Sequence, residues 1–348
     1  MNIPSIIKKS TTSILGSFAC TSISLALSNG MPLVVMYHGV KCGTKQKGSE
    51  NYRWKHIPDS VFEEQIIWLK KHFEVVSLEE VENSISDKRD IKKPLCAITF
   101  DDGFRNNYTN AFPILKKYSV PATIFLTTGF IERNIHLWTD VLEYALNTSL
   151  HNEIIISIDG KEKSFHISNT TEKIHSDSIL RNYMKKISND SREELLKEIL
   201  TATSVSKDTM YEEFSDYAPL SWEEVIEMKN ENITFGAHTV THPILSSLPK
   251  DIQEDEIISS IKRICDKVGD CKYFAYPNGQ LHDINNDTRE ILKENNIKYA
   301  WSTIPERIKK TNADDLLFLP RVTLDASQFN NRFYALTSNA LQYTKNIL

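Results

Sequence analysis

Two short clusters in the sequence carry residue types that can do chemistry. Thr99-Phe100-Asp101-Asp102-Gly103 sets two adjacent carboxylates at the end of an apolar run, and His238-Thr239-Val240-Thr241-His242 sets two imidazoles four residues apart after Gly236-Ala237. Neighbouring residues at a strand end point in different directions, so one carboxylate is free to bind a metal ion while the other faces a substrate. A spacing of four puts both imidazoles on one side of a helical turn, close enough to share that ion. Taken alone, Asp-Asp-Gly is ordinary turn chemistry, and a lone histidine is more often a core or surface residue than a ligand. A carboxylate of the first cluster and both imidazoles of the second complete a two-histidine, one-aspartate set. Such a set leaves coordination positions for water and substrate.

The hydrophobic pattern supplies a framework for these groups. Short apolar runs alternate with amphipathic stretches, the signature of β-α units around a parallel sheet. Strands are expected at 33–37, 73–76, 95–100, 122–126, 233–237, 273–276, 298–301 and 317–322. Phe62, Ile66 and Leu69 mark one helix face, and Ser221 is placed to cap a helix over 222–229 whose first turn carries Glu223 and Glu224. In a parallel α/β barrel the C-terminal strand ends form the active face, and both clusters fall there. Between 136 and 217 the pattern changes: apolar runs at 154–158 and 164–167 flank the turn dipeptide Asp159-Gly160, and polar helices follow around 179–187 and 192–200. The expected fold is α/β, a distorted (β/α) barrel over 31–348 with an inserted α+β segment at about 136–217 and a separate N-terminal segment, 1–30.

Composition excludes some functions. The 348 residues carry 41 Lys and Arg against 46 Asp and Glu, a formal net charge of −5, which lacks the dense basic face that nucleic-acid binding needs. Five cysteines, Cys20, Cys42, Cys96, Cys265 and Cys271, form an odd set with no CxxC pair, and they read as free thiols of a reducing compartment. Lys8-Lys9 precedes an apolar run broken by Thr11, Thr12, Ser13, Ser17, Thr21, Ser22 and Ser24, too short for the roughly 20 residues of a membrane span. That segment reads as a short helix lying on a membrane surface or on the barrel. The expectation is a cytoplasmic protein with peripheral membrane contact, export to the cell envelope being the alternative.

In their order, each after an apolar strand, the two clusters resemble the NodB-like polysaccharide deacetylases, a group of carbohydrate esterases, from about Met31 onward. The resemblance implies a barrel of the NodB-homology type and hydrolysis of N-acetyl groups on an amino-sugar glycan or a lipid-linked precursor of one. It also implies one divalent ion per site, expected to be zinc, with Asp102, His238 and His242 as ligands and Asp101 as the base. Phe274-Ala275-Tyr276-Pro277-Asn278-Gly279 resembles the family's third motif, in which a backbone amide beside the aromatic-proline pair helps to hold the oxyanion, so Tyr276 and Pro277 are assigned to substrate.

Ala275 departs from the family pattern, because many members carry there an arginine that orients the base. Arg321, in Leu319-Pro320-Arg321-Val322, is the substitute at the end of a later strand, a surface ion pair being the alternative. No histidine follows His282, so the family's C-terminal acid motif is missing. Met36-Tyr37-His38-Gly39-Val40 resembles the subgroup that includes the poly-N-acetylglucosamine deacetylases, whose motif order is permuted, and this implies His38 as the general acid. Trp138, Asp140 and Trp222 either line a sugar site, the indoles by stacking, or pack. Two other readings remain open: a catalytically inactive glycan-binding barrel without the orienting arginine, and a deformylase or cyclic amide hydrolase using the same site.

Overall fold

The computed structural model describes residues 31–86, 93–308 and 313–326, together with Phe333 and Thr337; the segment 1–30 lies outside them. In chain order the strands are β1 (Leu33–Tyr37), β2 (Gly39–Lys41), β3 (His56–Pro58), β4 (Glu74–Val75), β5 (Leu95–Phe100), β6 (Ala122–Leu126), β7 (Glu153–Ile158), β8 (Lys161–His166), β9 (Ile233–Ala237), β10 (Tyr273–Ala275), β11 (Tyr299–Trp301) and β12 (Val322–Thr323). The helices that matter for the site are α1 (Asp59–His72), α2 (Trp138–Thr148), α3 (Thr170–Met184), α4 (Asn189–Thr203), α5 (Trp222–Lys229) and α6 (Lys250–Val268).

β1, β5 and β6 are continuous apolar or β-branched runs buried at every position, as a parallel sheet covered on both faces demands. They lie in a parallel sheet of order β11-β10-β9-β6-β5-β1-β12, with β4 paired to the start of β5. The sheet curls toward a barrel, and its two edges approach where Leu319 bridges Trp301 and the Ser302 amide donates to the Leu319 carbonyl at 2.7 Å. The run at 317–322 is not one strand. Residues 317 and 318 end a 3-10 turn, Leu319 makes an isolated bridge to Trp301, and after Pro320, which has no N–H to give a ladder, β12 pairs with β1 instead. The two faces feed separate cores: Val35, Ile98 and Ile124 pack with Phe62, Ile66 and Leu69 of α1 in the larger one, and Val34, Ala97, Phe125, Ala275 and Trp301 from the alternate positions form the other.

Gly236 in β9 sits where a side chain does not fit. A Cβ there would lie 2.7 Å from the Phe125 ring and 2.8 Å from the Tyr273 carbonyl oxygen. Gly236→Ala therefore has to push β9 away from β10 or distort Phe125, at an expected cost of about 1–3 kcal/mol. Chemical denaturation checks this, and an unchanged midpoint would contradict so close a packing.

The inserted segment is a small α+β unit. β7 and β8 pair antiparallel through Asp159 and Gly160, both left-handed at φ 53° and 71°, the conformation a two-residue hairpin turn requires. Because Ile158 pairs directly with Lys161, β8 begins three residues earlier than the apolar pattern indicates. Ile154, Ile156 and Ile158 alternate inward toward a core that also takes Leu142 and Leu146 of α2 and Leu195, Leu196 and Ile199 of α4. The opposite side of α2 grips the loop ahead of β3. Asp140, Glu143 and Asn147, three and four residues apart, share one helix face. Asn147 Oδ1 accepts from the Ser49 amide at 2.8 Å, Glu143 Oε1 from the Asn51 amide at 2.5 Å, and Asp140 Oδ1 from the Lys55 ammonium at 2.8 Å.

The Ser221 side chain accepts from the Glu224 amide and Glu224 returns the bond, a full capping box at the start of α5. Cys42, Cys96, Cys265 and Cys271 are unbridged. Among the described residues no helix is long and apolar enough to cross a membrane.

Candidate active site

β5 delivers Asp101 and Asp102 at its C-terminal end, and β9 delivers His238 next to them. Asp102 and the following Gly103 turn the chain through left-handed backbone, φ 73° and 91°. For an aspartate this costs on the order of 1–3 kcal/mol. The strained turn is held by the Thr127 amide, which donates to the Asp102 carbonyl at 3.2 Å.

The two imidazoles do not sit on a helical turn. Residues after His238 form an irregular loop in which Thr239 (φ 66°) and His242 (φ 60°) are both left-handed, and the reversal brings the rings to 4.9 Å between centroids. The expectation of a helix is corrected on this point. Glu256 of α6 fixes the loop by accepting from the Val240 and Thr241 amides at 2.8 Å each, while Thr239 Oγ1 accepts from the His242 amide at 3.0 Å.

Asp102 Oδ1 lies 3.5 Å from His238 Nε2 and 3.4 Å from His242 Nε2, and one ligand atom from each of the three residues falls within 4.8 Å of the others. These donors fit a divalent ion. Asp102 Oδ1 is buried and has no hydrogen-bond partner. His238 Nδ1 stands 2.7 Å from the Ala275 carbonyl, so its N–H donates there and the Nε2 lone pair is directed at Asp102. Burial, opposed by Asp102, brings His242 down to about 3, which keeps it neutral and ready to ligate at physiological pH. The carbonyl at Ala275 performs this service whatever the side chain, so the missing arginine does not affect the metal position.

Beside the cluster, Asp101 is clamped by Arg321. Nη1 meets Oδ1 at 2.7 Å and Nη2 meets Oδ2 at 2.8 Å, a bidentate pair with both residues buried. The guanidinium is itself anchored by the Ser302 carbonyl at 3.0 Å and Thr99 Oγ1 at 3.2 Å. Burial alone would raise Asp101, but Arg321, with His238 and His38 adding to it, more than offsets this and the carboxyl lies below its ordinary value. A depressed carboxyl contributes stability above its unfolded value, near 3.9, and loses it as pH falls through the folded one. Arg321→Met removes the largest part of the offset and leaves the burial. Asp101 should then titrate above its ordinary value, the acid limb of the rate profile should move to higher pH, and stability should drop by about 3–5 kcal/mol. A pH–rate profile with denaturation of the same variant checks this; an unmoved acid limb would contradict the assignment.

His38 follows β1 at the same end of the barrel, its carbonyl accepting from Asn107 Nδ2 at 2.7 Å. Burial lowers its pKa; Asp102 and Asp101 pull it upward, while Lys55 and His238 push it down, which places the imidazole within the electrostatic reach of the cluster.

Other sequence-derived assignments change. The Tyr276 amide donates to the Trp301 carbonyl at 3.1 Å and its hydroxyl to Leu317, so the fully buried Tyr276 offers no free donor to a substrate. Pro277 has none, and the next amide, at Asn278, lies in a left-handed turn with Gly279 (φ 58° and 68°). Trp138 lies in the core of the inserted segment, 5.2 Å beneath the Arg192 guanidinium. Trp222 faces Arg263 and Lys267 of α6. Both indoles pack, because large apolar side chains at helix starts find the nearest core, and neither touches the Asp-His-His group.

Sequence reasoning also missed a participant. Lys55 Nζ stands 3.2 Å from Asp102 Oδ2 and 2.8 Å from Asp140 Oδ1, 4.6 Å over the Phe104 ring. A single lysine in a loop carries no motif that would have marked it.

A curled parallel β/α barrel with an Asp-His-His group at its strand C-termini, and an arginine-clamped aspartate beside it, defines a class of barrel built for metal-assisted chemistry. The family model "Polysaccharide deacetylase" matches residues 88–300, more than half of the chain, and the chain belongs to that family. YxkH of Bacillus subtilis is 30% identical over 105 residues, covering 30% of this chain and 34% of that protein. The poly-β-1,6-N-acetyl-D-glucosamine N-deacetylase of Staphylococcus aureus is 40% identical over 95 residues, 27% of this chain and 31% of the relative. The matches thus span about a third of these relatives' lengths. Among solved structures, the Streptococcus pyogenes deacetylase PplD superposes with a TM-score of 0.56 at 19% identity, covering 87% of this chain and 96% of that one. IcaB from Ammonifex degensii gives 0.54 at 18%, covering 88% and 97%. At such identities these two likenesses speak for the fold.

Proposed function

We propose that this protein hydrolyses N-acetyl groups from an amino-sugar glycan, using a divalent ion, zinc by preference, held by Asp102, His238 and His242. The observation that carries the reading is the bidentate Arg321–Asp101 pair beside that ligand set, since it supplies the oriented base that an inactive barrel would lack. A bound ion supplies Lewis acidity, withdrawing electrons from the acetyl carbonyl and making water a better acid.

The chain's own residues do the rest. Asp101 stays ionised and accepts the proton of the attacking water; each of its oxygens keeps a second lone pair outside the Arg321 clamp. The Asn278 amide, in its left-handed turn beside the aromatic-proline pair, is the backbone donor assigned to the developing oxyanion. His38 passes a proton to the departing amine. Burial keeps it below its ordinary value and hence uncharged at rest near pH 7, so the proton it delivers is the one Asp101 takes from the attacking water and passes on, which returns Asp101 to its ionised form as the amine and acetic acid leave.

The substrate class follows the family and its poly-N-acetylglucosamine-active relatives, with a polymer or a lipid-linked precursor as the candidates to be compared. Incubating zinc-loaded protein with polymeric, oligomeric and lipid-linked acetylated amino sugars, with formyl analogues alongside, tests the reading. Acetate release from at least one acetylated substrate is the expected result; silence across the acetylated panel, or formate release alone, would sink it.

A further inference from the structure

The two oxygens of Asp102 face different partners. Oδ1 is directed at the imidazoles and has no hydrogen bond, whereas Oδ2 stands 3.2 Å from the Lys55 ammonium. The ammonium is held from its other side by Asp140 Oδ1, which also accepts from Thr139 Oγ1 at 3.1 Å. Lys55 is no incidental surface cation. Its loop is sewn to the inserted segment at three successive points, Ser49 to Asn147, Asn51 to Glu143 and Lys55 to Asp140. Asn51 adds two bonds to the His56 backbone, at 2.6 and 2.9 Å, which fix the residue directly after Lys55. Tyr217, at the far end of the insertion, donates to Glu143 at 2.5 Å and closes the network.

We infer that Lys55 is a positioning residue for the metal-ligating carboxylate: it engages Oδ2 of Asp102 so that Oδ1 alone is presented to the ion, and Asp140 of the inserted segment holds it there. The inference rests on the ligand role of Asp102. An unrestrained carboxylate can turn both oxygens toward a cation and fill a position that water or substrate needs. The ammonium prevents this and tempers the attraction of the site for the ion, while Asp140 shares its charge. The inserted segment thereby becomes part of the reaction centre through one salt-bridged lysine.

Charge and orientation separate this role from a bridge that merely joins two segments. Removing the ammonium frees Oδ2 and deletes a positive charge near the ion; removing the Asp140 charge leaves the ammonium to neutralise Asp102 alone. Cobalt(II) binding to the full chain should therefore respond in opposite senses. Lys55→Met should bind cobalt about tenfold more tightly, with a weaker visible absorption band from the added oxygen donor. Its kcat should fall by about tenfold or more while KM changes little. Asp140→Asn should bind cobalt about tenfold more weakly. Lys55→Arg, keeping the charge, should restore the wild-type band, and it carries the test should Lys55→Met not fold.

Three results would overturn the inference: cobalt affinity moving in the same direction in Lys55→Met and Asp140→Asn, a band unchanged in Lys55→Met, or a band in Lys55→Arg that departs from wild type. If the wild-type chain itself takes up no cobalt, it is the ligand role of Asp102 that fails, and the inference falls with it.

Discussion

Asp101→Asn is expected to keep its metal and to lose turnover by about 10²- to 10⁴-fold, the range a positioned general base contributes. The substitution keeps the shape of the side chain and removes its charge. Asp102, His238 and His242 are untouched, and their convergence depends on the Thr127, Ala275 and Glu256 contacts, none of which involves Asp101. Arg321 retains Ser302 and Thr99, but its buried charge loses its counter-ion, so the variant should also be less stable, by about 3–5 kcal/mol at most. Metal analysis alongside acetate release checks both halves. Near-normal turnover would remove Asp101 from its role, and loss of metal would show that the clamp and the ligand set are not independent.

His242→Ala should abolish the metal site itself. Of the three ligands it is the more exposed histidine, carried on a left-handed loop residue, and its removal leaves one imidazole and one carboxylate. Two donors do not retain a catalytic zinc ion against water. In the wild type, an ion at a thousand times its dissociation constant stabilises the fold by about 4 kcal/mol. That increment should be absent from His242→Ala, whose melting temperature should be the same with and without zinc and whose acetate release should match the uncatalysed background. Thermal melts with and without zinc decide the matter, and a zinc-dependent rise surviving in the variant would place the ion elsewhere.

The strand-end positions of Asp101, Asp102 and His238 are legible in sequence because each closes an apolar run, and a strand buried on both faces has no other way to look. Arg321 is expected at the end of a strand over 317–322, but Pro320 breaks that run and Arg321 stands just before β12, so its type rather than its predicted strand end marks it. The meeting of the two imidazoles is not, because Thr239 and His242 take up left-handed backbone and neither residue type announces it. Spacing suggests a helical turn there; loop contacts from Glu256, on a helix that follows, impose something else. The Tyr276 amide illustrates a second limit. A motif locates the residue, but only the neighbouring strand shows that its N–H is already bonded. Trp138 and Trp222 have the right chemistry for stacking on a sugar or for filling a core, and tertiary packing chooses the core. Lys55 is invisible for a different reason: its partner in the inserted segment lies 85 residues away.

The most direct measurement is a parallel count of acetate and free amine released from an acetylated glucosamine oligomer by the zinc-loaded chain. A hydrolytic centre at Asp102, His238 and His242 with Asp101 as its base should yield the two products one for one, and chelation of the zinc should stop both. Absence of both products from the loaded protein, or release that continues unchanged in Asp101→Asn, would contradict it.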